Sequence, residues 1–314
     1  MDVSFAEQVF RETYGVAPAA MSDELCQEIR RAVRTLRRSY NASDADPDIY
    51  EREANRRAYM IAYYLFYIRP ADYVTDRFIA PQISEDDLPG ILQPHPQGDA
   101  QSGLHLAYFA GGPCPELYGS LAALKKHGYT KIASVHILDR EAGWKTELGV
   151  TNRLVRRNLG VAPQNLLRVS GCNVYQTCDN HHCNLGTHCQ SALYQSADVF
   201  YMQNFLSHMP RRNEPAFLSA LSQRIDQAKH GAIFAIIDLN YSQVRDVFAQ
   251  LPRLLQGRAD IIDTNYDRGT VNFTDDLTPQ SLRTRVFTGE DGLKPRRRTS
   301  FYYFVFQKTG KEAA

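Results

Sequence analysis

The chain has 314 residues, 43% hydrophobic and 23% charged, which excludes global disorder and provides apolar material for one large domain or two smaller ones. Its 36 basic residues nearly cancel its 35 acidic ones, so no whole-chain field draws it to a polyanion or an anionic membrane. The start, Met1-Asp2-Val3-Ser4, has neither the basic stretch nor the apolar core of a secretory signal, and the expected location is cytoplasmic.

Ser22 stands as an N-cap before Asp23 and Glu24, and Leu25, Ile29, Val33 and Leu36 recur at helix spacing. The other face of this helix carries Arg30, Arg31, Arg34, Arg37 and Arg38. A second helix is predicted from Asp48 to Tyr67, stopped by Pro70. Its apolar stretch, Ala58 to Ile68, is shorter than the roughly 18 to 20 residues a membrane span needs, so it reads as a buried helix and no membrane partner is expected. A loop rich in Pro, Gly, Asp and Gln, from about Asp86 to Gly103, marks a boundary. It divides an N-terminal helical region, residues 1–90, from an α/β domain, residues 91–314.

From Leu104 the rhythm becomes short apolar runs alternating with amphipathic stretches, the pattern of βαβ units in a parallel sheet. Strands are predicted at Leu104 to Phe109, Lys131 to Leu138, Leu166 to Val169, Asp198 to Met202, Ala232 to Leu239 and Asp260 to Asp263. Helices are predicted at Pro115 to His127, Thr146 to Leu159, Glu214 to Lys229 and Ser242 to Leu255. Two closing runs, Leu282 to Phe287 and Thr299 to Gln307, read as an antiparallel hairpin on the sheet edge.

The turn Tyr108-Phe-Ala110-Gly111-Gly112-Pro113-Cys114-Pro115 falls where the first strand meets its helix. Small residues there let the backbone approach a ligand, and free N–H groups at a helix start bind polar or anionic groups. The second strand ends in Asp139-Arg140-Glu141, and an acid at that place accepts both hydroxyls of a ribose. Trp144, the single tryptophan, is either a cofactor-facing plane or core packing. Gln203 and Asn204 end the fourth strand, at the carboxyl edge where open α/β sheets place their ligands.

With this turn and this acid, residues 104 to 307 resemble the class I S-adenosylmethionine-dependent methyltransferases. The resemblance implies a Rossmann-like fold in which a terminal strand is inserted antiparallel. It further implies that Gly111, Gly112 and Pro113 contact the methionine moiety, Asp139 the ribose and the loop after Val169 the adenine. Family members usually carry an acid where this chain has Tyr108, and glycines where it has Ala110 and Cys114. An NAD-type dehydrogenase is disfavoured because the G-x-G-x-x-G fingerprint is absent.

Four of the six cysteines, Cys172, Cys178, Cys183 and Cys189, lie with His181, His182 and His188 in an insertion at about residues 171–190. Thiolate and imidazole suit zinc, and four cysteines equally suit an iron–sulfur cluster. No Cys-x-x-Cys pair occurs in the insertion, so a polar loop with free thiols stands as the other reading.

Methyl transfer from a sulfonium is an in-line displacement that chiefly needs two reactants held in position. Where the acceptor is a hydroxyl or a protonated amine, a general base helps, and His208 and Asp238 are the candidates at strand ends. The aromatic run Tyr59 to Tyr67 favours a small-molecule acceptor, with the N-terminal helices as a lid. The arginine face and Lys294-Pro-Arg-Arg-Arg298 leave RNA as the second choice. A different class remains open on sequence alone: a non-catalytic binding or assembly protein that keeps a degenerate cofactor fold and a metal- or redox-active cysteine cluster.

Overall fold

The computed structural model describes residues 2–41, 48–79, 103–175, 194–274, 276–289 and 293–309. The first part of the chain folds into α1 (Val3–Tyr14), α2 (Asp23–Asn41), α3 (Glu53–Tyr59) and α4 (Leu65–Ile79). Asp2 caps α1 by accepting the Phe5 N–H at 2.9 Å, and Ser22 caps α2 by accepting that of Leu25 at 3.2 Å. A wide π-turn, Met60–Tyr64, joins α3 to α4, and α4 runs through Pro70 instead of ending before it. The proline removes one intrahelical hydrogen bond. Burial of Phe66, Ile68, Ala71, Val74 and Phe78 along the same helix offsets that loss.

The α/β part follows as β1 (Leu104–Phe109), α5 (Pro115–Lys126), β2 (Ile132–Asp139), α6 (Lys145–Leu154), β3 (Asn165–Ser170) and β4 (Val199–Gln203). It continues as α7 (Glu214–Gln227), β5 (Ile233–Leu239), α8 (Ser242–Phe248), α9 (Leu251–Leu255) and β6 (Ala259–Thr264). The chain closes with β7 (Val271–Thr274), α10 (Gln280–Arg285) and β8 (Arg298–Lys308). The sheet order is β3-β2-β1-β4-β5-β8-β6, with β7 also paired to β8. Strands β1 to β5 pair in parallel, and β8 runs antiparallel to β5, β6 and β7. This is a Rossmann-like, mostly parallel sheet closed by an antiparallel strand pair.

Three details depart from the sequence expectation. Strand β8 lies inside the sheet between β5 and β6 rather than on its edge. Its hairpin-like partner is β7, through Val271 opposite Phe301, whereas Leu282 to Phe287 is largely helical. There the Val286 N–H bonds the Leu282 carbonyl at 2.9 Å and both side chains are buried, a helical pairing that a short apolar run does not distinguish from a strand. The long helix expected over Ser242 to Leu255 is split into α8 and α9, with Pro252 in the first turn of the second piece.

Strand alternation divides the core between the two sheet faces. On one face Leu106, Tyr108, Tyr201, Ile237 and Tyr303 share a cluster with α1, α2, α4, α5 and α6. On the other, Phe109, Phe200, Phe234 and Phe306 form a ladder with ring centroids 6.2, 4.6 and 5.0 Å apart, covered by α7, α8 and α9. The N-terminal helices therefore form part of one face's core. Helices α4 and α5 cross so closely that a Cβ on Gly119 would stand 2.1 Å from the Ile68 carbonyl oxygen and 2.9 Å from the Asp72 nitrogen. Gly119→Ala is accordingly expected to lower the unfolding free energy by about 3 kcal/mol, read as an earlier denaturant midpoint. An unchanged midpoint would show that the two helices separate without loss.

Candidate functional site

The order β3-β2-β1-β4-β5 reverses direction at β1, which opens a crevice at the carboxyl ends of β1 and β4. A cavity of about 700 Å³ fills it, within the range of small-molecule sites. Ala110, Gly111, Gly112 and Pro113 from the turn after β1 line it, together with Asp139, Arg140, Trp144, Gln203, Asn204 and His208. Its far wall comes from the N-terminal region, through Ser39, Tyr40, Ile49, Tyr50, Tyr59 and Tyr67.

Local backbone geometry explains the composition of the turn. Ala110, Gly112 and Cys114 all adopt left-handed backbone, with φ of 54°, 51° and 56°. Two of these three positions are an alanine and a cysteine, held in a conformation costing roughly 1–2 kcal/mol per residue. Gly111 is required for space instead: a Cβ there would stand 2.8 Å from the Ile137 Cγ2. A Cβ on Gly112 would lie 3.4 Å from the Trp144 ring, which itself packs against Tyr50 and Tyr59 at 4.8 and 5.5 Å. Trp144 is thus both core packing and cavity wall.

Asp139 is 8% exposed and fixes the crevice. Its Oδ2 accepts the Gly112 N–H and its Oδ1 the Glu141 N–H, each at 2.7 Å. Burial raises its pKa, opposed by those two N–H donors and the Arg168 guanidinium. The loop after β3 starts from the same place: the Cys172 N–H bonds the Asp139 carbonyl at 3.0 Å, and Cys172, Asn173, Val174 and Tyr175 line the cavity. Arg140 is exposed at its rim.

The turn holds fewer free donors than expected. Pro113 and Pro115 have no N–H, and those of Gly111, Gly112, Cys114 and Leu117 bond Leu138 O, Asp139 Oδ2, Gly111 O and Cys114 O. The anion cradle anticipated at this helix start is therefore already satisfied internally. In its place stands Glu116, 2% exposed and part of the cavity wall. Sequence reading passed over it because an acid in a first helical turn ordinarily only complements the helix dipole. Tyr108, where an acid was expected, faces the core: its ring stacks on Tyr201 at 5.0 Å and its hydroxyl pairs with Ser120 at 2.7 Å.

At the end of β4, the Gln203 Nε2 donates to the Tyr67 carbonyl at 2.6 Å, which turns Oε1 into an acceptor with no partner among the described residues. Asn204 takes a left-handed φ of 57°, a region where asparagine is enriched. The two candidate bases part company here. His208 lines the cavity, stacked on Tyr40 at 4.7 Å, and burial, helped by the Arg296 charge, holds its pKa down to about 4. Asp238 is fully buried outside the cavity lining, and burial pushes its pKa up to about 6. Its Oδ2 accepts the Leu206 N–H at 2.6 Å and its Oδ1 the Leu239 N–H at 2.7 Å, which leaves it anchoring the turn that carries His208.

Among the described residues, no group of three or more His, Cys, Asp or Glu side chains is placed to hold a metal ion. Cys172 is buried beside the cavity. Cys178, Cys183, Cys189, His181, His182 and His188 lie outside the described residues. No helix among the described residues is long and apolar enough to cross a membrane.

Solved structures with a similar fold include an rRNA methylase of Streptococcus thermophilus, 11% identical over 66% of this chain and 88% of that one, TM-score 0.34. An O-methyltransferase family 2 protein of Planctomyces limnophilus, in complex with apigenin, is 15% identical over 71% and 55%, TM-score 0.36. A 16S rRNA adenine methyltransferase variant of Catenulisporales acidiphilia, with its cosubstrate, is 16% identical over 67% and 88%, TM-score 0.38. No protein-family model matches the chain, and no curated protein matches it by sequence.

Two outcomes follow from the site geometry. Ala110→Gly releases a strained φ at the cost of a freer unfolded chain, and should stabilise the protein by about 0.5–1 kcal/mol in thermal or chemical unfolding; destabilisation would contradict the strain. His208 titrates near 6.5 when unfolded and near 4 when folded, so acid favours the unfolded chain between those values. The stability difference between wild type and His208→Asn should fall by about 3 kcal/mol from pH 7 to pH 4. Parallel pH curves would mean that the imidazole is not held neutral.

Proposed function

We propose that the chain is an S-adenosylmethionine-dependent methyltransferase acting on a small-molecule acceptor. The observation that carries this reading is the chemistry of the turn after β1. A dinucleotide needs free N–H groups for its pyrophosphate, and here the turn's donors are absent or internally bonded while the carboxyls of Glu116 and Asp139 line the cavity. Such a lining suits a ligand with ribose hydroxyls and positive charge. Asp139 would hold the ribose, because each of its oxygens accepts one backbone N–H and keeps further lone-pair capacity. Cys172 to Tyr175 would flank the adenine.

When bound, the cofactor supplies an activated methyl group, and the protein's share is to orient and to move one proton. His208 is neutral at pH 7 and exposed to the cavity, so a ring nitrogen can take the proton of an acceptor hydroxyl. Tyr40 fixes the imidazole plane by stacking, and the Asp238-anchored turn fixes its height above the sheet. The Gln203 Oε1 is an acceptor for a donor on the substrate. Tyr40, Tyr50, Tyr59 and Tyr67 make a chamber wall suited to a small organic molecule. The basic residues of the C-terminal run do not all face outward: Arg296 turns in over Tyr67 at 5.2 Å and donates to its hydroxyl at 3.1 Å. That placement weighs against a phosphate-binding strip and an RNA acceptor.

Titration calorimetry tests the reading. Saturable binding of S-adenosylmethionine and S-adenosylhomocysteine is expected, with none of NADH. Binding of NADH alone would assign the cavity to a dehydrogenase, and binding of none would favour the non-catalytic alternative.

A further inference from the structure

Glu116 is a buried acid to which the reading above gives no partner. It stands at the first turn of α5, 2% exposed, on the cavity wall, and its Oε1 lies 3.6 Å from where a Cβ of Gly111 would stand. The groups that act on its carboxyl are its own backbone N–H, the Cys114 thiol and the nearby charge of Asp139; no cation is among them. Burial and Asp139 accordingly push its pKa well above the usual carboxylate range. A second acid beside Asp139, without a protein cation, is held as the neutral acid until a positively charged ligand group meets it.

The geometry also says which group. With the base against Cys172 to Tyr175 and the ribose on Asp139, the 5′ substituent of an adenosyl ligand continues along the cavity wall that Gly112, Gly111 and Glu116 share. It then arrives at Glu116. Tyr108 of β1 offers nothing there, since its ring and hydroxyl are committed to Tyr201 and Ser120. We infer that Glu116 binds the α-ammonium of the cofactor's amino-acid end, supplying from helix α5 the carboxylate that strand β1 lacks. This rests on the methyltransferase reading and adds to it a specificity-determining residue. It is a binding residue: no bond forms or breaks at its carboxyl, which only exchanges a proton with solvent as the ammonium docks.

The test compares two ligands on two proteins. Glu116→Gln, which keeps shape and volume, should bind S-adenosylhomocysteine 10- to 100-fold more weakly than wild type. Its affinity for 5′-methylthioadenosine, which lacks the amino-acid end, should stay within twofold. Equal losses for both ligands, or no loss for either, would overturn the inference. Wild-type protein alone provides a check independent of the variant's folding: an S-adenosylhomocysteine analogue lacking the α-amino group should bind at least 10-fold more weakly than the parent, and equal affinity would again overturn it. If wild type bound neither adenosyl ligand, the methyltransferase reading would fall first and this inference with it. Binding of both ligands with no effect at Glu116 would sink the inference alone.

Discussion

The site depends on one carboxylate. Asp139 ends β2, and by accepting the N–H groups of Gly112 and Glu141 it ties the turn after β1 to the turn after β2. Its carbonyl holds the start of the loop after β3 through Cys172. Three successive strand ends are thereby fixed around one point, and the cavity opens there. Charge-assisted hydrogen bonds of this kind are strong when buried, so the left-handed turn is retained even though two of its three positions are not glycine.

The residues around the turn after β1 make physical sense as a set. Tyr108 takes a place in the core, stacked on Tyr201 and hydrogen-bonded to Ser120 of α5, while Tyr201 pairs in turn with Thr75 of α4. Tyr40, Tyr50, Tyr59 and Tyr67 of the N-terminal region line the cavity at the carboxyl edge of the sheet. One of the ion pairs joining the two parts is sheltered: Arg56 reaches Glu147 at 3.5 Å with both side chains mostly buried. A buried pair of this sort adds specificity of docking more than net stability.

Much of the sheet was legible in the sequence because its central strands, β1, β4 and β5, are buried on both faces. Runs such as Ile233–Leu239 are apolar throughout and bounded by turns, and each predicted strand from β1 to β6 falls within a residue or two of its observed limits. The closing segment was harder. Leu282 and Val286 have a spacing that only their burial identifies as helical, and β7, with alternating partial exposure, carries little apolar signal. Pro70 misled because local rules end a helix there, while packing of α4 against the sheet and α5 carries it on. Of the site, the glycine turn, Asp139, Gln203 and Asn204 were visible from their positions at strand ends, and they do share one cavity. Glu116, Tyr40 and Tyr50 were not, since their meaning comes from burial across distant segments. Asp238 shows the converse: it stands at a strand end as a catalytic acid would, yet its oxygens are bonded to the Leu206 and Leu239 N–H groups.

A structure determined with S-adenosylhomocysteine bound tests the central claim most directly. The account predicts the ribose hydroxyls within about 2.6–3.2 Å of the Asp139 oxygens, with the adenine beside Cys172 to Tyr175 and the sulfur directed toward the tyrosine chamber. A ligand bound elsewhere, or one in this crevice that leaves Asp139 bonded only to Gly112 and Glu141, would contradict it.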